Sequence, residues 1–502
     1  MDSKTALVTS VEQLLEAAQD TDVEQIIVRG AISQVPSLRL SPGQRLVGEQ
    51  ESAALLFRPE IDGLQLTTDN EVRDLQLQVS SQRRALFTDT SEQTLGRLLL
   101  SHLSVVGQVQ ILLRDQLRGG HISVNGLDIL AADARSAPDR PHGYGVYVQQ
   151  GALTVWNQQP AAQGILTADL AGISLGREHA PVNGSGVFLS GAGFAETSLK
   201  VSRLETDSIF VDGNIPEGTA DLISGGVFVV YGAHVDVVIT HGAVVTYGPN
   251  DMVLDNWGDV DRWIAEGTVT SYGPSAIGFV NFGTTRTFHA KLPIETFGPG
   301  ARGFNAYDGL IETAEFERIE THAAAGVGIQ ISRPVTHLIV HGGITTHGGV
   351  GESLVKGVIK QLPAHGLSVQ PGAVVGEVLI DRGGIATEGD QVVSVQVQGE
   401  IGSVQVQDGI RASGQGSDAM QVEGGSVGLQ SLILTAAHGV ALRLKEAHLT
   451  ALSDVQAQGA AGDMVVEADS WVQTEASSLD ELRSRSGNAF TISNPAALHL
   501  QK

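Results

Sequence analysis

The chain has no cysteine among its 502 residues, which removes disulfides, thiolate nucleophiles and cysteine-bound zinc or iron–sulfur centres in one step. Aromatic residues are scarce at 5%, and charged residues make up only 17%. Basic residues are the scarcer charge: 31 Lys plus Arg against 56 Asp plus Glu leave a formal net charge of −25. A field of that sign repels phosphate backbones and anionic lipid, so neither nucleic acid nor a membrane is an expected partner. No apolar run reaches the roughly 18 residues that a membrane-spanning helix needs. The opening MDSKTALVTSVEQLLEAAQD lacks the apolar core of a signal peptide and carries acids throughout. A cytoplasmic location is therefore expected, with unconventional export as the alternative.

Glycine, by contrast, is abundant at 61 residues, which suits many short strands separated by tight turns. It does not suit disorder or a coiled coil. From Val244 the chain reads VVTYGPNDMVLDNWG, then VTSYGPSAIGFVNFG from Val269 and IETFGPGARGFNAYDG from Ile294. Written in rows of 25, the sequence aligns Val244, Val269, Ile294, Ile319 and Ile344, all β-branched. A neighbouring column holds Tyr247, Tyr272, Phe297, His322 and His347. A second strand aligns Leu254, Phe279, Phe304, Ile329 and Leu354, and a weaker third aligns Val238, Trp263, Phe288, Thr313 and Leu338.

Three apolar segments in about 25 residues are too little chain for two packed helices and enough for one coil of a parallel β-solenoid. Each coil rises by roughly 4.8 Å, so every column becomes a ladder. The next match after Ile344 is Ile385, then Ile410, which places an inserted loop or a larger coil around SLVKGVIKQLPAHG. At the start, SVEQLLEAA sets Val11, Leu14, Leu15 and Ala18 on one helical stripe behind a Ser10/Gln13 capping box, and this helix is expected to close the first coil. SSLDELRSRSG offers a second short helix near the other end. One β-helix domain over residues 1–502 is expected: 1–30 the cap and first strand, 31–475 coils with loop insertions, 476–502 the C-terminal cap.

The succession SVEQLLEAA, EQIIVRG, LRLSPGQRLVGEQ and DGLQLTTDNEVRDLQL resembles the N-terminal entry of the pectate-lyase-like superfamily. Across most of its length the chain is also similar to uncharacterised β-helix proteins of actinobacteria. The resemblance implies an all-β fold, a right-handed parallel β-helix with an N-terminal capping helix. It carries over no catalytic residue. The WIDH of the pectate lyases and the NTD, DD, GHG and RIK set of the polygalacturonases are missing, and AHG at Ala437–Gly439 lacks its companions. A shared fold does not fix function.

The densest polar segment, NDMVLDNWGDVDRW, brings Asp251, Asp255, Asp259, Asp261, Trp257 and Trp263 together. Strand alternation turns Leu254 and Asn256 inward and Asp255 outward, with Val280, Asn305 and Gln330 in the column of Asp255. A carbohydrate site on this face would use Trp257, Phe282 and Tyr307 as ring faces, and Asp255, Asp259 and Asp308 as acids and bases. Arg286, Arg302, Asp251 and Asn305 stand beside them as binding groups. The alternative is an aromatic structural ladder with acids that only solvate turns. His337, His341 and His347 are spaced as strand residues and read as surface or ladder histidines; no EF-hand loop marks a calcium site, and no metal or cofactor is expected. The functions in view are a carbohydrate-active enzyme cleaving or rearranging glycosidic bonds, a non-catalytic glycan- or protein-binding solenoid, and a self-assembling dimer or trimer.

Overall fold

In a computed structural model, which describes residues 4–485 and 490–502, the chain is an all-β parallel solenoid made of two compact units. The first comprises residues up to Pro216, Leu222–Gly248 and Asp255–Gly267; the second comprises Glu217–Asp221, Pro249–Leu254 and the chain from Thr268 onward.

The first unit opens with the helix Val11–Gln19, whose N-cap Ser10 accepts a hydrogen bond from the Gln13 backbone. Gln13 answers through its side-chain oxygen to the N–H of Thr9 at 2.8 Å, one residue earlier than a capping box on Ser10 requires. Leu14, Ala17 and Ala18 are buried, and the buried Gln44 amide binds the carbonyls of Ala17, Asp20 and Val23. The helix is thereby tied to the first coil at its C-terminal end, where carbonyls lack helical partners. Beyond it the strands Val23–Val28, Arg45–Gly48, Glu71–Gln78, Arg97–Val106, Gly120–Ala131 and Leu166–Leu175 pair in parallel, one on the next. The register places Asp74, His102, Gly126 and Gly172 in one column, and all four have positive φ, from 49° to 82°. A single left-handed residue per coil thus interrupts each long strand at the same point of the register.

In the second unit the column predicted from the sequence is present as a ladder. Val269 pairs with Ile294, then Ile319, Ile344, Ile385 and Ile410, and all are buried. Val244, in the first unit, is buried on Ile209. The room for the isoleucines comes from a glycine column: a Cβ on Gly278, Gly303, Gly328 or Gly366 would lie 2.3–2.6 Å from the γ2 methyl of Ile294, Ile319, Ile344 or Ile385. Phe279, Phe288, Phe304 and Phe316 fill the interior beside it, with Phe279 stacked on Phe288 at 3.8 Å.

Two column assignments are corrected. Phe288 pairs with Ala314, not Thr313, because the turn through Gly309, at φ +66°, takes one extra residue; Ala314 then pairs with Leu338 and the register returns. Ile329 pairs with Leu367, not Leu354. Leu354 belongs to an antiparallel hairpin, Val350–Val355 with Val358–Pro363, that leaves the coil between two rungs. Near the C-terminus the helix Leu479–Arg485 has its Ser478 hydroxyl on the Glu481 N–H; residues 486–489 of the expected cap lie outside the described residues.

Candidate functional site

Two hairpins of the chain turn through a residue in the left-handed conformation followed by glycine. In the first unit His142 pairs with Tyr147 and Gly143 with Val146, around Tyr144 at φ 54° and Gly145 at φ 88°. In the second unit Lys356 at φ 49° and Gly357 at φ 77° turn the Val350–Pro363 hairpin. Positive φ at both central residues matches the twist of a two-residue hairpin, but a side chain in the first position costs roughly 1–2 kcal/mol. In both cases that side chain reaches aromatic rings.

Tyr144 meets Trp257 edge to face at 5.1 Å and Phe194 at 5.7 Å. Phe194 packs on Tyr231 at 4.2 Å, and Trp257 also touches Phe228 at 5.2 Å. Phe194 stands in a turn closed by the Gly193–Glu196 bridge and is 58% exposed; Tyr147, against His142, is 44% exposed. A Cβ on Gly143 would come within 2.8 Å of Trp257 and 3.0 Å of Phe194, so glycine lets the rings close on the backbone. Burial pushes the Tyr231 phenol up against a backbone hydrogen bond from His142.

Asp255 lies at the edge of this cluster. Expected to face solvent, it is instead fully buried, with the Trp257 indole as the one polar group among the described residues acting on its carboxyl. Burial raises its pKa well above the ordinary carboxylate value, offset only in part by the Trp257 indole. Burial thus favours the protonated acid over the carboxylate. Trp257 itself is buried, and Asn256 turns inward, its side-chain oxygen on the N–H of Gly258 at 2.9 Å. Asp259 is a half-buried carboxylate on His234 Nδ1 at 2.9 Å, while Asp236 takes Nε2 at 3.0 Å.

The other predicted residues belong to the second unit. Asp251 is buried and Arg286 is exposed. Asp308 caps the N–H of Gly309 and pairs with Arg333 at 3.1 Å. Arg302, Asn305 and Tyr307 are brought together and buried: the Arg302 guanidinium donates to the Tyr307 hydroxyl and to the carbonyl of Leu354 in the hairpin. Phe282 stacks on Tyr307 at 5.1 Å, and Lys356 sits over both rings.

Of His337, His341 and His347, read as surface or ladder residues, His347 stands in a stacked column. Tyr272, Phe297, His322 and His347 stack with ring planes within 14°. His347 bridges Glu320 and Glu388, His341 bridges Glu315 and Asp381, and His337 faces Glu377. Ligand atoms of Glu320, His322 and His347 gather within 4.8 Å, as do those of His234, Asp259 and Asp261. The first set does not converge as a metal site: its two rings stack 5.1 Å apart at 12°, which keeps their in-plane lone pairs parallel, and both His347 nitrogens already bind carboxylates.

Sequence reasoning found Trp257 and Tyr307 but missed Tyr144, Phe194, Tyr231 and Lys356, which come from segments outside the 25-residue repeat. The usable signals were the Tyr144-Gly145 and Lys356-Gly357 pairs, short hairpin turns between apolar residues. Fold and site together define a parallel β-solenoid with hairpins folded onto aromatic clusters. Compared with protein-family models, curated proteins and solved structures, the chain matches none.

Proposed function

We propose that the chain binds carbohydrate at the aromatic cluster of the first unit. The observation that carries this is concentration. Tyr144 and Tyr231 are two of only six tyrosines in 502 residues, and they gather with Phe194 and Trp257 beside a hairpin turn. Half-exposed ring faces suit the C–H faces of a pyranose or furanose, and phenol hydroxyls suit its oxygens. The acidic surface favours a neutral or weakly charged sugar.

A second reading is favoured by one observation: Asp255 is buried beside Trp257 and its pKa is raised, the direction a general acid for glycosidic cleavage requires. Hydrolysis also needs a second carboxylate, and Asp259 and Asp308 are engaged by His234 and Arg333. Binding is therefore the first reading and cleavage the second.

The test is a screen of neutral oligosaccharides by calorimetry, with mass detection of products. Phe194→Ala or Tyr144→Phe should weaken a bound sugar by about tenfold at unchanged melting temperature. Equal affinity in both variants would move the site elsewhere. Product formation abolished by Asp255→Asn would establish cleavage.

A further inference from the structure

Arg302 is 1% exposed, and no carboxylate among the described residues lies within ion-pair distance of it. In a chain of net charge −25, a buried guanidinium without an acid is an exception that needs a cause. Arginine keeps its proton, so the charge is whole and burying it unpaired is costly. Its Nη1 faces the Tyr307 hydroxyl, and Asn305, with its amide oxygen turned toward these donors, accepts from Nη1 at 2.8 Å and from Tyr307 at 3.0 Å. The opposite edge is unfilled: Nη2 meets only the Leu354 carbonyl, and Nε is buried without an acceptor. Nε and Nη2 together form the fork that grips an oxyanion with two parallel hydrogen bonds.

What covers that fork is the hairpin. It is fastened by Ser353 Oγ on the Gly300 carbonyl at 2.7 Å and by the Leu354 N–H on Ser275 Oγ at 3.0 Å. It lies so close that a Cβ on Gly300 would stand 2.4 Å from the Glu352 carbonyl. Its tip brings a second cation, with Lys356 Nζ 5.8 and 5.3 Å from the Phe282 and Tyr307 ring centres and no ion pair among the described residues. Val350, Val358 and Ile359 stay exposed in it, so little apolar burial holds it down.

We infer that the Val350–Pro363 hairpin is a flap over an anion site: the Nε–Nη2 edge of Arg302 receives a small oxyanion group, carboxylate, sulfate or phosphate, and Lys356 closes on it. The Leu354 carbonyl is the internal occupant that the anion displaces. The site lies in the second unit and stands apart from the carbohydrate reading, which concerns the first.

The full chain is titrated calorimetrically with sodium acetate, sodium sulfate and inorganic phosphate at constant ionic strength, with hydrogen exchange of residues 350–363 followed in parallel. Saturable binding of at least one anion, with faster exchange in the hairpin, is expected. Acetate alone points to a carboxylate ligand; sulfate or phosphate alone points to an ester. Arg302→Met should abolish binding, and Arg302→Lys should weaken it by roughly tenfold or more, since lysine has no fork. Ser275→Ala with Ser353→Ala should tighten it severalfold by loosening the competing carbonyl. The inference is overturned if none of the three anions binds saturably to either the parent or the loosened variant, or if binding survives in whichever Arg302 variant folds.

Discussion

The guanidinium of Arg302 donates to the main-chain carbonyl of Leu354, 52 residues further along the chain. This bond joins a rung of the solenoid to a hairpin that no rung contains. Because Ser275 and Ser353 supply the other fastenings, replacing both by alanine should raise amide exchange across residues 350–363 and leave exchange of the Ile294, Ile319 and Ile344 ladder unchanged. Equal acceleration in ladder and hairpin would show the hairpin to be part of the core.

Asp255 should act against stability at neutral pH. Its folded pKa is raised by burial, so the unfolded chain ionises first as pH rises above about 4 and folding then loses free energy up to the folded pKa. Asp255→Leu should therefore stabilise by about 1–3 kcal/mol at pH 8 and by less at pH 4. Thermal melts at the two pH values read this directly; a variant less stable at both would mean that the carboxyl is partnered.

Gly303→Ala should cost about 1–3 kcal/mol, since its Cβ would lie 2.3 Å from the Ile319 γ2 methyl and 2.6 Å from the Gly328 carbonyl. Combining it with Ile319→Ala should cost less than the sum of the two changes, because the second removes the methyl that the first strikes. Additive losses in urea melts would deny the contact.

His341 and His347 stabilise the fold on the acid side of neutrality. Hydrogen bonds that His341 donates to the Asp381 and Glu315 carboxylates raise it, and at His347 burial pulls down but Glu388 and Glu320 more than offset it. A raised histidine contributes fully below its unfolded value of about 6.5 and loses that contribution as pH rises through the folded value. Stability should thus fall on this account above pH 6.5, and His341→Gln with His347→Gln should flatten the decline. His365 works oppositely: burial lowers it to about 4, so its unfolded form takes up the proton first and stability drops between pH 6.5 and 4. His365→Gln should soften that acid limb; an unchanged profile would place the loss on other groups.

Much of the fold was legible in the sequence, and for a definite reason. A parallel solenoid stacks each position on its equivalent one coil later, so Val269, Ile294, Ile319 and Ile344 had to share a burial environment, and their spacing of 25 recorded it. The N-terminal helix was equally local, since Ser10, Gln13 and Leu14 interact within one turn. Only the tertiary structure decided what becomes of the outward faces. Alternation turned Asp255 outward from Leu254, but the outer side of this strand does not meet water: both residues are buried. It could not foresee that Asp255 would be sealed off, or that Arg302 would lie beneath residues 353 and 354. Nor did periodicity anticipate the extra residue at Gly309 or the excursion that carries Leu354 out of its column, because one insertion breaks a column without breaking the ladder. The segments that shape both candidate sites repeat nothing. Their positions depend on single contacts between residues distant in the chain, and a period of 25 carries no information about those.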